Sequence, residues 1–177
     1  MARGVDDVMD AVICGIDPGL GTTGYAVVCG DGRTMRVLDA GACRFDRNLP
    51  LPERLVQIER DLDAVFAEQR PTVVAVEELY AHYKHPRTAV RMAHARGVIL
   101  ATAARAGMEV RSYAATQVKR YLTGSGRATK AQMQRAIQHT LGLDHVPEPE
   151  DMADALAIAL CCDADLRRRD VVVEVSG

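Results

Sequence analysis

The sequence has no tryptophan, only two phenylalanines and five tyrosines, and no long uninterrupted apolar run. A membrane-spanning helix needs about 20 predominantly apolar residues, so no span is predicted. The first ten residues carry acids but no apolar stretch, unlike a secretory signal peptide. We therefore expect a globular protein with a short flexible N-terminal extension, residues 1–10.

The cysteines form no CxxC pair and have no spacing to histidine that is typical of zinc sites. All five lie in apolar stretches, as small buried side chains do: Cys14, Cys29, Cys43, Cys161 and Cys162. An odd number of buried thiols indicates a reducing compartment, so we expect a cytoplasmic protein.

The small net charge of −2 hides a strong separation of charge along the chain. Residues 81–135, the basic segment, contain eleven Lys and Arg and one acid, Glu109, which gives a charge of +10. The remainder carries −12. Because a solvated helix face normally alternates its charges, this segregation indicates a surface for a polyanion such as nucleic acid.

Apolar periodicity predicts an α/β domain over residues 11–166, with three antiparallel strands followed by two parallel ones. An Asp31-Gly32 turn joins the second and third strands. Residues 167–177 form a tail that could be a strand, a partner contact or disordered. Strands are expected at 11–17, 24–30, 34–43, 72–78 and 108–113, and helices at 51–69, 86–106, 114–122, 129–141 and 151–165.

Two central strands, apolar throughout, end on carboxylates, Asp17 and Glu77. Ligands of open α/β sheets bind outside the carboxyl ends of such strands. Either acid alone would also suit a strand that simply enters a loop. The two positions therefore gain meaning only if further acids converge on them.

The last helix supplies two more acids. Residues 152–162 are apolar except for Asp154, and a helix that is apolar on all sides is buried. An unpaired buried carboxylate costs several kcal/mol, so Asp154 needs a partner, for which a cation is the obvious choice. Asp151 lies one turn earlier on the same face, although an acid in a first turn also stabilises the helix dipole.

Four converging carboxylates would repel one another unless metal ions neutralised them. Hard oxygen ligands favour Mg²⁺ or Mn²⁺ over zinc. A pair of such ions about 4 Å apart is a recurrent arrangement for phosphodiester hydrolysis. The acids therefore predict a metal-dependent nuclease with two ions in each subunit.

The sequence resembles the RuvC family of Holliday-junction resolvases, which have a ribonuclease H-like fold with helices on both faces of a mixed sheet. The resemblance extends from about residue 12 to residue 162. It rests on segments in the family's order and spacing: GIDPG (15–19), TGY (23–25), VAVEELY (74–80), ARGV (95–98), YAATQVK (113–119), GSGRATKAQMQ (124–134) and ADALAIA (153–159).

This resemblance implies that Asp17, Glu77, Asp151 and Asp154 are the catalytic, metal-binding acids. It places Lys119 and Lys130 on the family's functional lysines. Tyr80 stands where the family more often has a phenylalanine that stacks on a base, and a tyrosine ring can stack equally well. We expect DNA contacts from Tyr80, from both lysines and from four further basic residues, namely Lys84, Arg87, Arg120 and Arg127.

The resemblance further implies resolution of four-way DNA junctions in recombination and repair, by paired symmetric nicks that leave 5′-phosphate and 3′-hydroxyl ends. Two symmetric cuts require a C2 homodimer, and the small residues of the 86–106 helix suggest its interface. A branch-migration motor complex is implied as a partner.

Three alternatives remain at this stage. Another ribonuclease H-like nuclease, acting on RNA or on RNA–DNA hybrids, would share the acids. A sugar-kinase-type ATPase shares the Asp-Pro-Gly turn but needs a second lobe, for which 177 residues are too few. A non-catalytic junction-binding protein would have no use for a buried acid at position 154.

Overall fold

The computed structural model describes residues 11–30, 34–79 and 86–175. Over these ranges the chain forms five strands and five helices. The strands are β1 Val12–Asp17, β2 Thr22–Gly30, β3 Met35–Arg44, β4 Val73–Glu77 and β5 Glu109–Tyr113. The helices are α1 Leu51–Gln69, α2 Pro86–Arg105, α3 Ala115–Thr123, α4 Lys130–Leu141 and α5 Glu150–Val175.

The strands form one sheet in the order β3-β2-β1-β4-β5. Pairing of β1 with β2 and of β2 with β3 is antiparallel, whereas β4 lies parallel to both β1 and β5. The predicted mixed sheet is therefore confirmed. The Asp31-Gly32 turn lies outside the described residues.

Alternate residues of the two central strands face opposite sides of the sheet, and both sides are covered. On one side, Cys14 and Val74 pack in a core with Ile58 of α1 and Ile99 of α2. On the other, Ile13, Val73 and Ala75 pack against α5, together with parts of α3 and α4. The central strands are apolar on both faces because helices cover both.

Helix α5 lies unusually close to the sheet. A Cβ built on Gly15 of β1 would come within 2.2 Å of the main-chain oxygen of Ala155 and 2.7 Å of the nitrogen of Ala159. Any larger side chain at position 15 would push the helix away from the sheet. Residues 155–162 of the helix are all buried, as the apolar run predicted.

The prediction for the end of this last helix was wrong. It was expected to stop at residue 165, with a separate tail from 167, but α5 continues to Val175. Long-range contacts support the extra turns. Arg167 pairs with Asp163 one turn back at 2.8 Å and donates to the carbonyl of Gly30 at 3.0 Å, and Asp165 accepts from Arg111 of β5 at 3.1 Å.

The other helix ends follow local signals in the sequence. Thr129 caps α4 in a capping box with Gln132, and Gly124 and Gly142 end α3 and α4 in the left-handed conformation. Gly107, with φ at +77°, follows α2 as expected. These boundaries agree with the predictions to within one or two residues.

No described helix combines the length and the apolar character needed to cross a membrane. All five cysteines are free thiols, and the expectation that they are buried holds for four. Cys43 on β3 is half-buried.

Candidate active site

Asp17 and Glu77 end neighbouring parallel strands at the same edge of the sheet. The β1–β4 register pairs Ile16 with Val76, so the two acids are the next residues of their strands. Both continue the alternation that turns residue 15 of β1 and residue 75 of β4 toward α5. The strands therefore direct the two carboxylates to the side of the sheet on which α5 begins.

Asp151 and Asp154 lie in the first turns of α5 and complete the arrangement. Gly24 of β2, the register partner of Asp17, abuts this turn, and a Cβ on it would come within 1.9 Å of the Asp151 carbonyl oxygen. The helix can start beside Asp17 only because residue 24 has no side chain. Asp154 is half-buried, while its neighbours Ala153 and Ala155 are fully buried.

Burial and neighbouring acids raise the pKa values of three of these carboxylates. The pKa of Asp17 rises to about 8, chiefly because of burial and then because Glu77, Asp154 and Asp151 repel its negative charge. Burial also raises the pKa of Glu77, with repulsion by Asp154 as the next cause. The pKa of Asp154 is raised by burial, although the positive charge of Lys130 opposes the shift.

Two lysines face the acids across a small cleft, here called the lysine cleft. Its volume is about 150 Å³, and its walls include Glu77, Asp154, Lys119 of α3 and Lys130 of α4. Lys130 also forms an exposed ion pair with Glu150, which raises the lysine pKa. The structure thus brings both predicted lysines together with two of the four acids.

The donor set fits hard divalent cations. All four side chains offer carboxylate oxygens, which suit Mg²⁺ or Mn²⁺, and the pKa values of three of them are raised by burial and then by neighbouring acids. Within residues 11–30, 34–79 and 86–175, no three His, Cys, Asp or Glu side chains are already gathered tightly enough to hold an ion.

A second, larger cleft adjoins the acids, here called the apolar cleft. It has a volume of about 380 Å³, and Asp17 and Glu77 form one end of it. Leu79, Met92 of α2 and Thr116 of α3 supply other walls. These three residues were not predicted as site residues, because neither their side-chain types nor their spacing indicates a site.

Arg96 of α2 is a supporting residue that the sequence analysis counted only as part of the basic segment. Its Nε donates to the main-chain oxygen of Glu77 at 3.0 Å, and its Nη2 donates to Ser112 Oγ at 2.6 Å. The side chain thereby fixes the end of β4 to α2 and to β5. One sequence feature sets Arg96 apart, because it is the only charged residue of 92–104.

Other arginines of the basic segment also have internal partners. Arg105 contacts Glu59 and Asp63 of α1, and Arg111 contacts Glu109 and Asp165. The inference that the whole segment forms a surface for a polyanion was therefore too broad. Both arginines pair with acids of the fold itself.

The remaining residues predicted to contact DNA are not all at the acids. Tyr80 and Lys84 lie outside the described residues. Arg87 is exposed at the start of α2, and Arg127 is exposed before α4. Arg120 is exposed and lines a different cleft, between α3 and α5.

The strand order, the helices on both faces and the acids at the carboxyl ends of the central strands define a nuclease of the ribonuclease H-like class. A sequence model of the family described as "Crossover junction endodeoxyribonuclease RuvC" matches residues 13–162. The chain belongs to this RuvC family, and the predicted family, fold and enzyme class are confirmed. Nucleases of the family depend on divalent metal ions.

Individual relatives agree with this assignment. The chain is 50% identical over 149 residues to the RuvC of Rhodopirellula baltica, covering 84% of each protein. A structure of Thermus thermophilus RuvC matches with a TM-score of 0.81 and 36% identity, over 89% of this chain and 96% of that one. A second structure, T. thermophilus RuvC in complex with a Holliday junction substrate, matches with the same TM-score, the same coverage and 33% identity.

Proposed function

We propose that this protein resolves four-way DNA junctions, cutting two strands symmetrically by metal-dependent hydrolysis during recombination and repair. The observation that carries the proposal is the convergence of Asp17, Glu77, Asp151 and Asp154, where burial first and then repulsion by the other three acids raise the pKa of Asp17 to about 8. Such a cluster costs stability in the free protein, and a domain without catalytic use for it would gain by replacing an acid.

The four carboxylates would hold two divalent ions, Mg²⁺ or Mn²⁺. Bound there, the ions would lower the pKa of an attacking water and offset charge on the departing 3′ oxygen, leaving a 5′-phosphate and a 3′-hydroxyl. Asp17 and Glu77 are fixed by neighbouring strands, and Asp151 and Asp154 by one helix. The protein thus positions all four donors on rigid elements, which keeps the reacting phosphate in register.

Lys119 and Lys130 would bind the phosphate that is cut or its neighbours. Both line the lysine cleft with Glu77 and Asp154, so each ammonium group can approach a phosphate held by the acids. Lys130 must leave Glu150 to do so, and an exposed ion pair of this kind is worth at most about 1 kcal/mol.

The apolar cleft would receive an unpaired base or sugar close to the point of cleavage. Its wall ends at Leu79, the residue before Tyr80, which the family resemblance places as a base-stacking ring. Arg87, Arg120 and Arg127, with Lys84, would contact backbone phosphates of the junction arms.

A C2 homodimer formed through α2 would supply the second active site. The inner face of this helix, including Ala95, Ile99 and Ala103, is buried against the sheet. Its outer face is exposed, and one strip of that face carries small or apolar residues at helical spacing: Val90, Ala93, Gly97, Ala101 and Ala104. Such a face allows two helices to approach closely around a two-fold axis. A branch-migration motor complex as a further partner, and a cytoplasmic location, are proposed from sequence alone.

A substrate panel tests the proposal. One labelled strand would be presented in a mobile four-way junction, a linear DNA duplex and an RNA–DNA hybrid, with Mg²⁺ and with Mn²⁺. We expect paired, symmetric, ligatable nicks in the junction, with little cutting of the other two. Faster cutting of the hybrid would favour the alternative ribonuclease H-like activity, and binding of the junction without cutting would favour a non-catalytic protein.

A further inference from the structure

The described part of the chain contains a further cleft, with a polar lining, outside the candidate active site. It lies between α3 and the second half of α5 and has a volume of about 450 Å³; we call it the α3–α5 cleft. Six residues line it: Gln117, Arg120, Tyr121, Cys161, Asp165 and Arg168. Asp165 and Arg168 lie beyond residue 162, where the match to the family ends.

The side chains that line this cleft carry more positive than negative charge. Asp165, the one acid of the lining, pairs with Arg111 at 3.1 Å and accepts from the Tyr113 hydroxyl at 3.2 Å. By contrast, Arg120 and Arg168 are exposed and form no hydrogen bond or ion pair within the described residues. Two free guanidinium groups therefore line one concave surface, which suits an oxyanion such as a phosphate.

The tyrosine of the cleft complements the arginines. Its ring is partly exposed, at 41%, and burial of the remainder together with the nearby charge of Asp163 raises its pKa. The hydroxyl therefore remains protonated at neutral pH and can donate a hydrogen bond. Gln117 adds an exposed side-chain amide. Both arginines, the tyrosine hydroxyl and the glutamine amide can each donate a hydrogen bond to an anion.

The extra turns of α5 hold this surface in place. Arg167, the residue before Arg168, is tied to Asp163 and to the Gly30 carbonyl, while Asp165 is tied to β5. These contacts fix the helix to two strands, β2 and β5. The loss of conformational entropy on binding a phosphate is then confined to the two arginine side chains.

The position of the cleft relates it to the catalytic acids. Lys119 lines the lysine cleft and the next residue, Arg120, lines the α3–α5 cleft, so α3 separates the two sites. Arg168 follows Asp154 by fourteen residues, which is about 21 Å along the helix axis. A duplex advances about 3.4 Å for each base pair, so one DNA arm can reach both sites.

We infer that the α3–α5 cleft binds a backbone phosphate of the junction arm, several base pairs from the point of cleavage, through Arg120 and Arg168. This inference rests on the proposed function, since it assigns an additional contact to the same substrate. It also gives the helical extension of α5 a purpose: the extension carries the second arginine of the site.

The test is the salt dependence of junction binding, measured by fluorescence anisotropy in EDTA so that no hydrolysis occurs. For Arg168→Gln we expect affinity to fall about threefold to tenfold, and the slope of log Kd against log NaCl to become shallower by about one. Arg168→Lys, which keeps the charge, should retain the slope. Arg60→Gln, which removes an exposed charge from α1 on the other face, should leave both quantities unchanged.

An unchanged affinity and slope for Arg168→Gln would overturn the inference. An equal loss in Arg60→Gln would also overturn it, because net charge alone would then explain the effect. Cleavage by the wild-type protein in Mg²⁺ is measured separately. If the wild-type protein fails to cut the junction, the proposed function is wrong. If it cuts normally but Arg168→Gln binds the junction as wild type does, only the inference about the α3–α5 cleft is wrong.

Discussion

Gly24 and Asp151 are in such close contact that no side chain fits between them. A Cβ at position 24 would come within 1.9 Å of the Asp151 carbonyl oxygen and within 2.4 Å of its carbon. Because the same glycine lies opposite Asp17 in the β1–β2 register, it determines how near the helix-borne acids come to the strand-borne ones. Gly24, which has no side chain to bind metal or DNA, therefore controls the geometry of the candidate active site.

Gly24→Ala is predicted to lower cleavage without unfolding the protein. The added methyl group must displace the first turn of α5, at a cost of about 1–3 kcal/mol in stability. A displacement of about 1 Å between catalytic groups can reduce a rate about 100-fold. Single-turnover cleavage of a four-way junction, with thermal melting followed by circular dichroism, measures both effects.

The matched control is Gly126→Ala. A Cβ at that position meets nothing closer than the Thr116 carbonyl at 3.4 Å, which is an ordinary contact. We expect its cleavage rate to stay within about threefold of wild type. Equal rates for Gly24→Ala and wild type would show that the close approach of α5 does not position the acids.

The metal-free protein is predicted to lose stability between about pH 4 and pH 8. The pKa of Asp17 is about 8 in the folded protein and near 3.8 when unfolded, so the folded state retains a proton that the unfolded state has lost. The stability that this proton contributes is fully present below the pKa of Asp17 in the unfolded state. It is lost as pH rises through the pKa of Asp17 in the folded state. Melting in EDTA across this range should show Tm falling with pH.

Neutralising the acid or adding cations should reverse that loss. Asp17→Asn is expected to raise the stability of the metal-free protein at pH 8 by about 1–3 kcal/mol, since it removes a repelled charge. Mg²⁺ should raise the Tm of wild type more than that of Asp17→Asn. A wild-type Tm that rises from pH 5 to pH 8 in EDTA would contradict the repulsion described for the cluster.

Lys130 is predicted to matter for catalysis while its ion-pair partner does not. Lys130→Gln removes a cation from the lysine cleft, and we expect cleavage to fall about 100-fold at saturating junction. Glu150→Gln breaks the same ion pair, in which the two side chains are 66% and 63% exposed, and should change the rate less than about threefold. Similar losses in both variants would mean that the ion pair itself is needed.

Gly97→Arg is predicted to produce a folded monomer. Nothing lies within 4 Å of a Cβ at this position, so an arginine fits the isolated chain but obstructs a partner helix. Sedimentation should show a dimer for wild type, a monomer for Gly97→Arg, and a dimer for the control Ala64→Arg on the exposed face of α1. A strictly monomeric wild type at micromolar concentration, with junction cleavage intact, would refute dimerisation.

Much of the fold follows from local sequence patterns. Continuous apolar runs identified the buried strands, and their carboxyl ends located Asp17 and Glu77 correctly. Asp154 stood out because an acid is rare within a buried helix. These features depend on the residue and its near neighbours, which a single sequence displays.

Features that depend on tertiary partners did not follow from the sequence. The bond from Arg96 to Glu77 joins residues of different elements, so the residues around Arg96 do not reveal its partner. The length of α5 depends on contacts with Gly30 and Arg111, more than fifty residues away. Counting charges along the chain also overestimated the basic surface available to a polyanion. Arg105, for example, pairs with an acid of α1, which is distant in sequence.

The central claim is that the four carboxylates cut junction DNA with the help of metal ions, and Asp154→Asn tests it most directly. The measurement is single-turnover cleavage of a mobile four-way junction in Mg²⁺, with junction affinity determined in parallel. We predict that affinity is retained or improved while the cleavage rate falls at least about 100-fold. Cleavage by Asp154→Asn at the wild-type rate would contradict the account.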